Sequence, residues 1–114
     1  MSSSLIVSIY KLQAELPLLL SALAKQSHIP DEIIFAEDAI SEDTIKLLSA
    51  ESKKYPHLRL CLVQHEDRGF RKAEIVNKAV TLAAYNQLIF LDGDCLPHTH
   101  YVRSYVEISG QGNY

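Results

Sequence analysis

The residues best suited to chemistry in this chain are two aspartates, Asp92 and Asp94, separated by one glycine. They follow an uninterrupted apolar run, residues 88–91, which is typical of a strand buried on both faces. Gly93 has no side chain, so the loop can bend and bring both carboxylates to one point. Two anions this close repel each other, and a hard divalent cation relieves the repulsion while leaving positions for phosphate oxygens. The segment therefore predicts a site for a metal-bound diphosphate.

Other charged residues follow other strand-like runs. Glu37 and Asp38 end one apolar run, and Arg71 and Lys72 come after the next, behind a short charged loop. The carboxyl ends of parallel strands share one edge of a sheet, where α/β proteins hold their ligands. Each pair alone is typical of a turn or a solvated helix start. Positive charge at a helix N-terminus opposes the helix dipole, however, which favours a ligand-binding role for Arg71 and Lys72.

Composition limits the classes of protein. The chain has 114 residues, of which 47% are hydrophobic and 22% charged, as in a single soluble globular domain. A net charge of −3 disfavours nucleic acid as a partner. No apolar run reaches the roughly 20 residues that span a bilayer, and the N-terminus lacks a secretory signal. Cys61 and Cys95 form no disulfide framework, so we expect a reduced, cytoplasmic protein.

The apolar pattern alternates strands with helices. Strands are predicted at residues 5–10, 32–37, 58–64 and 87–91, and helices at 15–26, 41–55, 71–84 and 99–108. Ser41 is the expected N-cap of the second helix. This order predicts a three-layer α/β/α fold, with a mostly parallel sheet of about four strands and helices on both faces. The domain is placed at residues 1–108, with a frayed tail at 109–114.

Two further expectations concern residues around the third strand. Cys61 lies within the apolar run of that strand, and we expect it to be a small core residue. His57 and His65 border the same strand, and we expect both to be exposed loop residues.

Four segments carry a family resemblance when they are taken together and in order. They are Leu-Ile-Val-Ser-Ile-Tyr at 5–10, Pro-Asp-Glu-Ile-Ile-Phe-Ala-Glu-Asp at 30–38, residues 64–77 with Gly-Phe-Arg-Lys-Ala, and Leu-Ile-Phe-Leu-Asp-Gly-Asp at 88–94. The chain resembles the N-terminal, nucleotide-binding half of a family 2 glycosyltransferase, with the Rossmann-like GT-A fold, over almost all of residues 4–103. The third segment is similar to bacterial members that include polysaccharide-polymerising enzymes.

The resemblance implies a binding site for the nucleotide of a sugar donor. Asp38 matches the acid that hydrogen-bonds the uracil ring in many members, with Glu37 beside it. Tyr10 matches the first-loop aromatic residue near the base. Arg71 and Lys72 lie in the segment that contacts nucleotide and phosphates.

The resemblance also implies a metal cofactor. Asp92 matches the first acid of the pair, near the ribose, and Asp94 matches the metal ligand, with Asp92 beside it. Asn77 matches an asparagine of the following helix that belongs to the substrate site. Manganese or magnesium is the implied cation, and oxygen ligands suit both.

Some positions depart from the family pattern. The first loop has Ile9-Tyr10-Lys11 in place of a frequent proline and asparagine, and Ala39-Ile40 replaces a glycine. The catalytic base of the family lies well beyond the aspartate pair, and Glu107 is the sole carboxylate of this sequence after Asp94. The catalytic residue is therefore unknown, and we expect the chain to lack the acceptor half of the enzyme.

The implied activity is metal-dependent, inverting transfer from a UDP-sugar to a saccharide acceptor, although we expect little transfer from these residues alone. A non-catalytic nucleotide-sugar-binding or interaction domain is the alternative, and homo-oligomer formation stays open.

Other chemistries fit the sequence less well. Cys95, His98 and His100 could suggest a softer metal, but their spacing matches no usual zinc set. A haloacid-dehalogenase-type phosphohydrolase should have Thr or Val where Leu96 stands, and a receiver domain should have its acidic pair near Tyr10.

Overall fold

Four parallel strands and four helices alternate along the chain. The computed structural model describes residues 2–69 and 71–110, with side chains up to residue 107. The strands are β1 (Ser3–Ile9), β2 (Glu32–Glu37), β3 (Leu60–Gln64) and β4 (Gln87–Asp92). The helices are α1 (Leu16–Ala24), α2 (Glu42–Ser52), α3 (Lys72–Leu82) and α4 (Tyr101–Gly110). The predicted alternation is confirmed, with element ends shifted by a few residues.

The strand order is β3-β2-β1-β4, and all neighbouring pairs are parallel. The chain runs outward from β1 to β3 and then crosses back to place β4 on the other side of β1. Ser8 lies opposite Asp92 in the β1–β4 register, and Glu37 lies opposite Gln64 in the β2–β3 register. The reversal leaves a crevice at the carboxyl ends of β1 and β4, which is where such sheets bind ligands.

Helices cover both faces of the sheet. Successive strand residues point to opposite faces of the sheet, so the apolar strands contribute side chains to two separate cores. One core joins the sheet to α1, α2 and α4 through Leu20, Leu48 and Val102. The other joins it to α3 through Ile75 and Ala79. The predicted three-layer α/β/α architecture is confirmed.

The start of α2 follows from its sequence. The Ser41 hydroxyl accepts a hydrogen bond from the Thr44 backbone N–H at 3.3 Å, so the predicted N-cap is confirmed. Glu42 and Asp43 lie in the first turn, where negative charge favours the helix dipole. This cap fixes the loop that leaves β2 at the carboxyl-terminal edge of the sheet.

Two expectations around β3 are wrong. Cys61 is exposed, and it lies on β3, an edge strand with a neighbouring strand on one side. His65 is largely buried, with 13% of its side chain exposed, because it hydrogen-bonds to Asp38 on the neighbouring strand end. His57 is exposed, as predicted.

The predicted domain boundary at residue 108 stays a prediction. Helix α4 runs to Gly110, and residues 111–114 lie outside the described residues, as do Met1 and Phe70. No helix within the described ranges has both the length and the apolar character needed to cross a membrane.

The fold predicts that truncating two phenylalanines to alanine lowers the free energy of unfolding by different amounts. Phe35 in β2 is fully buried, whereas Phe90 in the edge strand β4 is 47% exposed. We expect Phe35→Ala to lower the free energy of unfolding by about 3–5 kcal/mol, because it leaves a cavity between strand and helices. The matched control Phe90→Ala should cost less than about 1 kcal/mol. Urea denaturation measures both, and equal losses would contradict this assignment of the core.

Candidate functional site

A cavity of about 320 Å³ opens at the carboxyl ends of β1, β2 and β4. Its polar lining consists of Ser8, Tyr10, Asp38, Lys72, Asp92 and Asp94. Three of these, Asp38, Lys72 and Asp94, come from different segments of the chain and meet only because the strands are parallel. The volume lies within the range of small-molecule sites, about 300–1,000 Å³.

Asp92 ends β4 and forms one wall of the cavity. Its Oδ1 atom accepts hydrogen bonds from Ser8 Oγ at 3.0 Å and from the Lys72 ammonium group. The pKa of Asp92 lies below its usual range, chiefly because of Lys72 and then of Ser8, while burial opposes the shift. Lys72 thus places a positive charge in the first turn of α3, next to an ionised carboxylate.

Gly93 fixes the loop that carries Asp94. Its N–H donates to the Ser8 carbonyl oxygen at 2.7 Å. A Cβ atom on this residue would lie 2.6 Å from Ile9 Cγ2 and 2.8 Å from the Ser8 carbonyl oxygen. Only glycine therefore allows this close approach, which presents Asp94 at the cavity next to Asp92.

Asp92 and Asp94 fit a hard cation that is shared with a ligand. Both offer only oxygen donors on one cavity wall, which suits Mn²⁺ or Mg²⁺. Within residues 2–69 and 71–110, no group of three or more His, Cys, Asp or Glu side chains is arranged to hold a metal ion. A cation held by two carboxylates keeps positions for water or phosphate oxygens.

The residues considered for a softer metal are engaged elsewhere. The negative charge of Asp94 is the main cause that raises the pKa of the Cys95 thiol, and this disfavours the thiolate that binds zinc. The ring of His98 accepts from the His100 backbone N–H at 3.1 Å, and the His100 ring contacts Ser27 Oγ at 2.7 Å. The second contact joins the loop before α4 to the segment that follows α1.

Asp38 follows β2 and lies on the inner wall of the cavity, 3% exposed. Its Oδ2 atom accepts from the Arg71 backbone N–H at 2.8 Å, and its Oδ1 atom lies 2.5 Å from His65 Nε2. Burial, the strongest single influence, raises the pKa of Asp38, but the hydrogen bonds and charges of Arg71 and His65 outweigh it and lower the pKa overall. Asp38 is therefore a buried, ionised acceptor.

Glu37 belongs to a buried network beside the cavity and is not part of its lining. Its carboxylate is 1% exposed and accepts from Thr44 Oγ1 at 2.8 Å and from Gln64 Nε2 at 2.6 Å. Gln13 donates to Ser41 Oγ at 3.0 Å and to Thr44 Oγ1 at 3.1 Å. The network holds the loop after β2 in place.

Of the remaining predicted site residues, one lines the cavity and two do not. Tyr10 lines the cavity, and its hydroxyl donates to Asp67 Oδ2 at 2.9 Å, which joins two loops of the rim. The Arg71 guanidinium pairs with Glu74 outside the cavity lining, so Arg71 hydrogen-bonds to Asp38 through its backbone N–H. Asn77 is exposed on α3, away from the lining.

Five of the eight predicted residues therefore meet at the cavity, and Glu37, Arg71 and Asn77 do not line it. The functional roles of all eight stay predictions.

The sequence interpretation did not assign Ser8 or His65 to the site, and it expected His65 to be an exposed loop residue. Ser8 hydrogen-bonds Asp92 because the β1–β4 register sets them side by side. His65 contacts Asp38 because both residues follow the last pair of the β2–β3 register. The position of Ser8 and His65 at strand ends could have indicated that they lie near the site. Their contacts with Asp92 and Asp38 follow only from the strand register.

The sequence of this chain is similar to those of known proteins. A family model described as Glycosyl transferase family 2 matches residues 4–114. Validoxylamine A glucosyltransferase of Streptomyces hygroscopicus subsp. limoneus is 30% identical over 103 residues, which cover 89% of this chain and 22% of that protein.

Solved structures share the fold. A fragment of S. aureus TarS in complex with UDP-GlcNAc aligns with a TM-score of 0.78 and 22% identity, over 97% of this chain and 32% of that one. Mannosyltransferase PcManGT from Pyrobaculum calidifontis, in complex with GDP-Man and Mn²⁺, aligns with a TM-score of 0.73 and 26% identity, over 85% and 29%. The expected Rossmann-like GT-A architecture is confirmed, and the chain spans less than a third of each relative.

The packing of Gly93 predicts a sensitive position. Gly93→Ala should lower the free energy of unfolding by about 1–3 kcal/mol, because the new methyl group would overlap Ile9 and the β1 backbone. Gly69→Asn is the control. Among the described residues other than Gly69 and its chain neighbours, no atom lies within 4 Å of the point that a Cβ atom would occupy there, and asparagine is better tolerated than most residues at the positive φ of 85°. The cost of Gly69→Asn should be smaller than that of Gly93→Ala in the same urea titration, because it adds backbone strain without steric overlap. A harmless Gly93→Ala would contradict the close approach.

The ionisation of Asp38 predicts a pH-dependent stability difference. Because its pKa is lower in the folded chain than in the unfolded chain, ionised Asp38 stabilises the fold above the unfolded pKa of about 3.9. That contribution is lost as the pH falls through the folded pKa. Asp38→Asn should cost about 1–3 kcal/mol at neutral pH and progressively less below about pH 4, measured by urea denaturation. A difference independent of pH would contradict this.

Proposed function

Because this chain belongs to glycosyl transferase family 2, we propose that its cavity binds a nucleotide-diphosphate sugar, with a UDP-sugar as donor. The observation that supports this most strongly is the meeting of Asp38, Lys72 and Asp94 in one cavity. These residues offer an acceptor for a base, a cation for phosphate and a metal ligand. A nucleotide-sugar needs all three kinds of group in one place.

Asp38 is the proposed base-binding residue. An ionised carboxylate only accepts hydrogen bonds, so it suits the N–H group on the pairing edge of uracil. Tyr10 lines the same cavity and provides an aromatic ring beside the base. The complex of the TarS fragment with UDP-GlcNAc supports a uridine donor in this fold.

Asp94 and Asp92 are the proposed ligands of Mn²⁺ or Mg²⁺, and the presence of Mn²⁺ in the PcManGT complex supports a divalent cation. Such a cation, when bound, offsets the negative charge that develops on the departing diphosphate. Lys72 adds a second positive charge, because its ammonium group already lies at the cavity wall against Asp92. Together these residues would orient the diphosphate and lower the barrier to its departure.

The proposed reaction is inverting transfer to a saccharide acceptor. The acceptor hydroxyl oxygen forms a bond to the anomeric carbon, and the bond from that carbon to the phosphate oxygen breaks. The electron pair leaves with the diphosphate, and the hydroxyl proton passes to a base. The similarity of the Gly-Phe-Arg-Lys-Ala segment to polysaccharide-polymerising enzymes supports a saccharide as the acceptor.

We assign donor binding, and not the catalytic base, to the described residues. The carboxylates that line the cavity, Asp38, Asp92 and Asp94, all have donor-binding roles in this proposal. Glu107 pairs with Arg103 at 2.8 Å on α4 and is not part of the lining. This arrangement favours a second candidate, a nucleotide-sugar-binding domain without transfer activity. Binding of a UDP-sugar with no release of UDP would favour that candidate.

Removal of the Asp94 charge tests the proposal. In calorimetric titrations with UDP and Mn²⁺, Asp94→Asn should weaken binding by at least about tenfold, because one ligand of the cation loses its charge. Asp43→Asn is the matched control, since Asp43 is exposed in the first turn of α2 and outside the cavity lining. The control should bind as the wild-type chain does. Unchanged binding by Asp94→Asn, or no binding by the wild-type chain, would overturn the proposal.

A further inference from the structure

His65 lies behind the proposed base-binding carboxylate and outside the lining of the cavity. Its Nε2 atom is 2.5 Å from Asp38 Oδ1, and 13% of its side chain is exposed, against 4% for Asp38. This contact between a buried carboxylate and a largely buried ring restricts the orientation of both side chains.

The protonation of the pair follows from its partners. An ionised carboxylate offers only acceptor positions, so the His65 Nε2 atom that faces it must carry a hydrogen. Asp38 Oδ2 is engaged by the Arg71 backbone N–H at 2.8 Å. Among the described residues, each carboxylate oxygen therefore has one hydrogen-bond partner, and a carboxylate oxygen can accept a second hydrogen bond. Asp38 lines the cavity, so a ligand there can approach its carboxylate.

We propose that His65 is a positioning residue that selects the nucleobase: it holds the Asp38 carboxylate so that the free acceptor positions meet an N–H group on the base. This inference rests on the proposed function, since it takes the cavity to be a nucleotide site. Recognition is thereby restricted to bases with a ring N–H on the pairing edge.

Base chemistry gives this selection its direction. Uracil and guanine carry a ring N–H on that edge, whereas cytosine and adenine carry a ring nitrogen with a lone pair. A lone pair set against a fixed carboxylate leaves both acceptors unpaired in a buried site, which is costly. A carboxylate that His65 did not hold could turn away from such a base, so preference for UDP over CDP depends on this contact.

The charges around Asp38 are consistent with this role. His65 approaches from the end of β3, and Arg71 approaches from the segment before α3. Glu74 on α3 is an acid close to the pair, and the Arg71 guanidinium forms an ion pair with it; Glu66 also lies near Arg71. Lys72 faces the same cavity from the first turn of α3. Removal of His65 takes one hydrogen-bond donor away from Asp38 and leaves the other in place.

The test compares variants that differ in the N–H group. His65→Phe keeps a planar ring without a donor, and His65→Gln restores an N–H. His57→Phe is the matched control, because His57 is exposed and contacts the Ala24 carbonyl oxygen far from the cavity. Calorimetry with UDP and with CDP, both in Mn²⁺, gives the ratio of the two dissociation constants. We expect His65→Phe to reduce the preference for UDP about tenfold, and His65→Gln to restore most of it.

A second readout requires no nucleotide. The carboxyl carbon of Asp38, followed by ¹³C NMR against pH, should titrate at a higher pKa in His65→Phe than in the wild-type chain or in His57→Phe, because one stabilising donor is lost. Where His65→Phe does not fold, His65→Leu provides the same comparison.

The outcomes separate the two proposals. An unchanged ratio for UDP and CDP in His65→Phe, or an unchanged Asp38 titration, overturns the positioning role. If the wild-type chain binds neither nucleotide while the Asp38 titration still shifts, the proposed function fails and base selection fails with it. The hold of His65 on the Asp38 carboxylate stands in that case.

Discussion

The parallel pairing of β4 with β1 is the constraint on which the site depends. It sets Ser8 beside Asp92, residues separated by 84 positions in the sequence, and allows the Gly93 N–H to bond to the Ser8 carbonyl oxygen. Because β2 pairs with the other side of β1, Asp38 comes to the same edge. The strand order β3-β2-β1-β4 thus determines where the cavity lies, and the side chains at the strand ends determine its chemistry.

Hydrogen-bond donors of the protein contact two of the three carboxylates that line the cavity. Asp38 and Asp92 each have protein donors that lower their pKa values, from Arg71 and His65 in one case and from Lys72 and Ser8 in the other. Asp94 is exposed at the cavity. The site therefore combines a buried hydrogen-bond acceptor, Asp38, with an exposed acidic wall. The first suits the proposed nucleobase, and the second suits the proposed metal-bound diphosphate.

The sequence was sufficient to predict the alternation of strands and helices, the Ser41 cap and the common sheet edge of the charged residues. The periodicity of apolar residues and the capping of helices depend on residues that are close together in the chain. Which of two adjacent acids faces the cavity could not be predicted in this way. Successive strand residues point to opposite faces, so Glu37 turns into a buried network while Asp38 lines the cavity. The contact between His65 and Asp38 depends on register, and the exposure of Cys61 depends on which strand lies at the edge. Both are properties of the assembled sheet.

The most direct test of a shared metal and nucleotide site uses the paramagnetism of Mn²⁺. In ¹H–¹⁵N spectra of the chain with UDP, small additions of Mn²⁺ should broaden first the amide signals of the loop at residues 92–95 and those of Ser8 and Lys72. Broadening centred on another acidic surface, such as Glu42 with Asp43 or Glu66 with Asp67, would contradict the account.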